Sequence, residues 1–175
     1  MLRSAVALLP VVIFASPAGA ESVEVSDGAR LADYFGTKKG YRAVKRDVLA
    51  WHKTTRNGCV AFASTALRHI GIAVPIDEKR DGWGVSRITF TFSDYLTGDL
   101  SWQRIEDPAA LLPGDLVFTA GAPDHVFVFH SYKSKRRLIA RAIDNQGRQT
   151  GRQLQPRAGS TTAAFAYALR APPGD

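Results

Sequence analysis

Apolar residues fall along this 175-residue chain in three distinct patterns. The first is an unbroken run, "AVALLPVVIFA", near the start. The second is helical. In "RNGCVAFASTALRHIGI", residues 56 to 72, Val60, Ala63, Ala66, Leu67 and Ile70 share one face of a helix. Gly71 is a natural C-terminal stop. Asn57 is the expected N-cap, with a side-chain oxygen able to accept from a first-turn N–H. The third pattern fills the second half, where "GDLVFTAG" and "HVFVFHSY" are short Val- and Phe-rich runs bounded by Gly and Pro. In "RRLIARAID", Leu138, Ala140 and Ala142 alternate with Ile139, Arg141 and Ile143. "TTAAFAYALR" reads as a last strand, although its alanines also allow a helix.

Short connections between these runs predict an antiparallel meander. Residues 77 to 110 are ambiguous: "VSRITFTFSDYLTG" alternates at Ile88, Phe90 and Phe92, yet has helical spacing at Ile88, Phe92, Tyr95 and Leu96. Residues 21 to 46 read as polar and irregular, with room for one short helix in "SDGARLADYFG" capped by Asp27. The tail "APPGD" reads as frayed. With the helix first, the strands later and no βαβ alternation, the expected class is α+β, helices packed on one side of a mostly antiparallel sheet.

The initial apolar run is too short for an ordinary transmembrane helix. Arg3 precedes it, and Ala18-Gly19-Ala20 offers a small-residue cleavage site before Glu21. Residues 1–20 therefore read as a signal peptide, and the product as periplasmic or secreted. No later apolar run approaches a membrane span. Removing the leader loses Arg3 and no acid, so the formal charge falls from +7 to +6. In an exported protein a basic surface suits an anionic cell-wall polymer or a membrane surface better than nucleic acid. Its basic residues are scattered through "KKGYRAVKR", "KSKRR" at a hairpin turn, and four Arg between 148 and 170.

Cys59 is the one cysteine, so no internal disulfide can form. An unpaired thiol in an oxidising compartment is either reactive, bridged to another molecule, or buried as a small apolar residue. Capped by Asn57, the helix would hold Cys59 at its second position. There the uncapped N–H groups and the helix dipole favour a thiolate.

A nucleophilic thiol needs a base, and the base an orienting partner. The four histidines are 52, 69, 125 and 130. His69 lies ten residues along the same helix, roughly 15 Å away at 1.5 Å per residue, and cannot reach. His52 precedes the helix and reads as solvated. His125 opens a strand and His130 closes it, on opposite faces. The face of His125, Phe127 and Phe129 is expected to pack on the cysteine helix. The next strand ends in "DNQG", where Asp144 is the first choice as orienter and Asn145 the alternative. The same four residues are also good turn chemistry.

Three segments, "NGCVAFASTAL", "SWQRIEDPAALLPGDLVF" and "DHVFVFHSY", resemble the NlpC/P60 and CHAP group of papain-like cysteine peptidases and amidases. The likeness spans about residues 51 to 147. It implies a papain-like NlpC/P60-type fold, with the nucleophile helix against the sheet, over residues 47–171. Residues 21–46 would be an N-terminal extension and 172–175 a flexible tail. The resemblance further implies Cys59 as nucleophile, His125 as general base and then acid, and Asp144 or Asn145 as orienter. Gly58-Cys59-Val60-Ala61 departs from the frequent Asp-Cys-Ser-Gly of NlpC/P60, and the third polar residue falls later than usual there. The superfamily is therefore a firmer expectation than the subfamily.

The expected function is an exported hydrolase of amide bonds in peptidoglycan peptides. An acyltransferase on the same fold, and a non-catalytic wall-binding or inhibitory protein, are the rivals. No cofactor or metal is expected: the histidines lack H-x-x-x-H spacing, and no Gly-rich phosphate loop occurs. The expected partner is a cell-wall peptide, with anionic polymer contact through the basic surface and neither nucleic acid nor stable membrane insertion. Asp77 to Asp81 and Trp83 are expected near the groove, Trp51 and Trp102 in the core or groove wall.

Overall fold

The computed structural model describes residues 25–120, 125–158 and 163–173. The leader and its cleavage site lie outside the described residues, as does the turn "GAPD". Four helices are present: α1 (Asp27–Gly36), α2 (Lys38–His52), α3 (Cys59–His69) and α4 (Thr89–Gly98). The strands are β1 (Lys79–Arg80), β2 (Trp83–Gly84), β3 (Gln103–Ile105), β4 (Leu116–Thr119), β5 (His125–Ser134), β6 (Ile139–Asp144), β7 (Gly147–Gln153) and β8 (Phe165–Arg170). β1 and β2 form a small hairpin. The other six make one sheet in the order β3-β8-β4-β5-β6-β7, with every pair antiparallel. The protein is α+β; β4, β5 and β6 form the expected meander, whereas the last strand, β8, returns to pair with β4 and β3. No helix among the described residues is long and apolar enough to cross a membrane.

The short helix expected in "SDGARLADYFG" is α1, but the rest of the stretch read as irregular, 21 to 46, holds most of α2. Leu31, Ala32 and Phe35 of α1 and Val44 and Val48 of α2 are buried. Ser26, not Asp27, caps α1, its Oγ accepting from the Ala29 N–H at 3.3 Å. Thr37 ends α1 and caps α2 through the Gly40 N–H at 2.8 Å. The ambiguous middle stretch resolves as α4, which buries Phe92 and Leu96 and leaves Phe90 outside.

α3 buries every residue from Val60 to Leu67, and its stripe lies where the spacing put it. Gly71, at φ +92°, terminates it: the Gly71 N–H reaches the Arg68 carbonyl (3.1 Å) and the Ile72 N–H the Leu67 carbonyl (3.0 Å). These are the two bonds of a Schellman motif. The helices cover one face of the sheet, where Leu116, Phe118, Val126, Val128 and Ile143 meet Leu31, Phe35 and Phe62. Phe127 and Phe129 lie on the opposite face, with Val117, Ala140, Ala142, Leu111 and Leu154. The expectation that they pack on the cysteine helix is therefore wrong. Both faces of β5 are buried, so apolar alternation along it carries no sign.

Leu112 to Asp115 form a tight turn closed by the Asp115 N–H on the Leu112 carbonyl at 3.1 Å, with Gly114 at φ +91°. That is type II geometry, with Pro at the second and Gly at the third position. The buried Asp115 carboxylate accepts from the Leu112 N–H at 2.8 Å and from Arg170 Nε and Nη2 at 2.9 and 2.7 Å. β7 was not anticipated. Its sequence, GRQTGRQ, is polar because it is an edge strand.

Candidate active site

Cys59 is the first residue of α3, one position earlier than expected, because Gly58 rather than Asn57 is the N-cap. Asn57 is left-handed at φ 52°, and no side chain caps the helix. The first-turn N–H groups therefore stay available to an anion. The His125 side chain and the Val126 and Val60 N–H groups are what favour the thiolate over the thiol.

His125 is the first residue of β5, so it meets α3 at the end of the sheet rather than through its face. His130 does not close the strand, which runs on to Ser134; its ring lies under Gly36 of α1. His125 Nε2 donates to Asp144 Oδ2 at 2.8 Å, which leaves Nδ1 to serve Cys59. Asp144 is fully buried at its side chain. Its other oxygen, Oδ1, accepts from the Gln146 and Gly147 N–H groups at 2.8 and 3.2 Å. The turn role and the orienting position, alternatives in the sequence, are held by the two oxygens of one carboxylate. Asn145 instead donates through Nδ2 to the Thr55 carbonyl at 3.0 Å, tying down the loop before Cys59. Beneath the site, the Tyr41 hydroxyl of α2 donates to the Asp144 carbonyl at 3.0 Å.

Arg152 of β7 went unrecognised among the scattered arginines. Its Nη2 donates to Asp144 Oδ2 at 2.7 Å and to Gln146 Oε1 at 2.8 Å, and lies 3.2 Å from His125 Nε2. Regular pairing outward from the β6–β7 turn would put Arg152 on the helix side. A bulge at Gln149, φ 68°, shifts the register, so that Arg152 pairs with Ala140 and shares the face of Asp144. Nothing in the local composition announces that bulge.

The remaining histidines are placed elsewhere. His69 accepts or donates at both nitrogens, to Tyr34 Oη (2.8 Å) and Asp47 Oδ2 (2.9 Å). His52 Nδ1 meets Arg87 Nη1 at 3.2 Å, and burial followed by the Arg87 charge lowers its pKa.

Burial pushes the Cys59 thiol up, but the His125 hydrogen bond and charge, with the Val126 and Val60 N–H groups, outweigh it and bring the thiol below its ordinary value. Burial likewise pulls His125 down. Hydrogen bonds to Asp144 and Cys59 and their charges overcome this and raise the imidazolium to about 9. Burial would raise Asp144, yet His125 and Arg152 hold it below the usual carboxylate value. The two shifts run in opposite directions, and both favour a thiolate beside an imidazolium. Alkylation of Cys59 by iodoacetamide at pH 7 is expected to run faster than that of an ordinary thiol, which is only a few per cent thiolate there. Amide turnover should fall as pH rises through about 9, as His125 loses the proton a leaving amine needs. Rates from pH 5 to 10 check both; an alkylation rate at pH 7 no faster than that of an ordinary thiol would contradict the lowered Cys59 pKa.

Set against protein-family models, curated proteins and solved structures, the chain matches none of them.

Proposed function

We propose that this protein is an exported cysteine hydrolase that cleaves amide bonds in peptidoglycan peptides, as an endopeptidase or amidase, on a papain-like fold of the NlpC/P60 type. The observation that carries the reading is the His125–Asp144 hydrogen bond, with His125 acting on the thiol of Cys59 at an uncapped helix start. The helix-on-antiparallel-sheet arrangement supports the papain-like assignment, and the apolar leader supports export.

The thiolate attacks the amide carbonyl. The backbone N–H of Cys59, at the helix start, is placed to stabilise the oxyanion. His125 protonates the leaving amine through Nδ1, then takes a proton from the water that hydrolyses the thioester. Asp144 keeps the ring oriented and its charge stabilised throughout.

Purified peptidoglycan incubated with residues 21–175 should release fragments whose masses identify the bond. Because Cys59 is the one thiol, carbamidomethylation gives a clean control, and the fragments should vanish with it. Release that survives alkylation would exclude Cys59 as nucleophile. No release from a protein whose Cys59 alkylates rapidly would overturn the wall substrate and leave an acyl-transfer site.

A further inference from the structure

Around Trp51, at the end of α2, lie two arginines that the proposed mechanism does not use. The His52 ring abuts Gly58: a methyl on that glycine would sit 3.6 Å from His52 Cδ2. Arg87, exposed on the loop between β2 and α4, donates from Nη1 to His52 Nδ1 at 3.2 Å and lies over the Trp51 ring at 5.1 Å. Arg68 of α3 packs against the same indole at 5.4 Å. Its guanidinium is spent on neutral acceptors: the Val74 carbonyl (2.9 Å), Ser86 Oγ (3.2 Å) and Thr65 Oγ1 (2.7 Å). Burial brings Arg68 down to about 10, so it remains charged at neutral pH.

Among the described residues, no carboxylate lies within ion-pair distance of Arg68 or Arg87. The nearby acids Glu78 and Asp99 are engaged by Arg80, at 3.2 and 2.8 Å. Two guanidiniums on one indole without a counter-charge repel each other, and a bound anion would relieve that.

The same loop presents an apolar surface. Trp83 is 54% exposed and Phe90 49%, and their rings meet edge to face at 6.2 Å. Asp81 (φ 50°) and Gly82 (φ 84°) make the two-residue turn of the hairpin that carries Trp83. The Arg87 side chain lies on Gly84, where a methyl would come within 3.2 Å of Arg87 Cδ. One short segment therefore holds a cation and two exposed aromatic rings, with the cation leading through His52 to the nucleophile.

We propose that Arg87, backed by Arg68 and flanked by Trp83 and Phe90, forms a substrate subsite for an acidic peptide. Arg87 pairs with a carboxylate of the substrate, and an apolar part of the peptide lies on the Trp83–Phe90 surface. This rests on the nucleophilic reading of Cys59 and adds which amide-bearing peptides reach it.

Two probes test it: bromoacetyl-Ala-Glu-amide and bromoacetyl-Ala-Gln-amide. Each alkylates Cys59 by one displacement, in which a sulfur–carbon bond forms and bromide leaves. They differ only in the carboxylate. Rates are followed by intact-mass spectrometry, and the Glu-to-Gln rate ratio is taken within each protein, so general changes in thiol reactivity cancel. The native ratio should be about tenfold, as for one charge-assisted hydrogen bond. Arg87→Gln should bring it near one, and Arg87→Lys should keep most of it. Arg136→Gln, which removes the same charge at the far end of the β5–β6 hairpin, should leave it unchanged. An unaltered ratio in Arg87→Gln, or an equal fall in Arg136→Gln, overturns the subsite while the nucleophile stands. Failure of Cys59 to react with either probe in the native protein overturns the nucleophilic reading and the subsite with it.

Discussion

Asp144→Asn should lower kcat/KM by about 10²–10⁴-fold while leaving the protein folded. The substituted amide can still accept from the Gln146 and Gly147 N–H groups, so the β6–β7 turn survives. What disappears is the charge facing His125 Nε2. Without it the imidazolium is no longer held near pKa 9, the thiolate loses its partner, and the ring is free to take the wrong tautomer. Arg152 suffers as well. Its Nη2 keeps Gln146 but loses the carboxylate, and its Nε is already buried without a hydrogen bond. A guanidinium stripped of its buried counter-ion costs about 3 kcal/mol. Urea unfolding should therefore report destabilisation alongside the rate loss. Adding Arg152→Gln to Asp144→Asn should recover part of the stability and none of the rate. Full activity in Asp144→Asn would remove Asp144 from the site.

The largest effect on stability is expected at Gly114→Ala. At φ +91° the backbone is left-handed, and a methyl would drive into the Gly28 carbonyl, well inside van der Waals contact. Backbone faces backbone there, so no side chain can rotate away. Relief requires moving the start of α1, whose Leu31 and Phe35 are fully buried, or opening the turn that holds Asp115 to Arg170. Either route should cost about 3–5 kcal/mol in urea or thermal unfolding. Gly28→Ala is the milder comparison, since its methyl would meet the Pro113 carbonyl at 3.2 Å. A Gly114→Ala protein within about 1 kcal/mol of native would show that the two segments separate freely.

The cysteine helix was readable because its apolar residues recur at helical spacing and it ends in a glycine with left-handed backbone. β4, β5 and β6 were readable because apolar runs between Gly and Pro leave little else. α1 was legible as the short helix of "SDGARLADYFG", whereas α2 escaped because lysines and arginines dominate its outer face. Leu31 with Phe35, and Tyr41 with Val44 and Val48, carried the helical spacing all the same. The side of β5 that faces the helices was not legible, since Val126 and Val128 are as apolar as Phe127 and Phe129. Within the site, Cys59, His125 and Asp144 follow from element ends and the order of strands. Arg152 does not, because a one-residue bulge decides which face it joins.

Asp144 and His125 stand nineteen residues apart on neighbouring strands, whereas Cys59 comes from a helix much earlier in the chain. Apart from the Val60 N–H, no neighbour in sequence supplies what lowers its pKa. The imidazole, the Val126 N–H and the helix start act on the thiol only once α3 has docked on the sheet. In an unfolded chain Cys59 is an ordinary thiol, mostly protonated at neutral pH. The thiol therefore stays chemically quiet until the core closes, and folding itself switches its reactivity on.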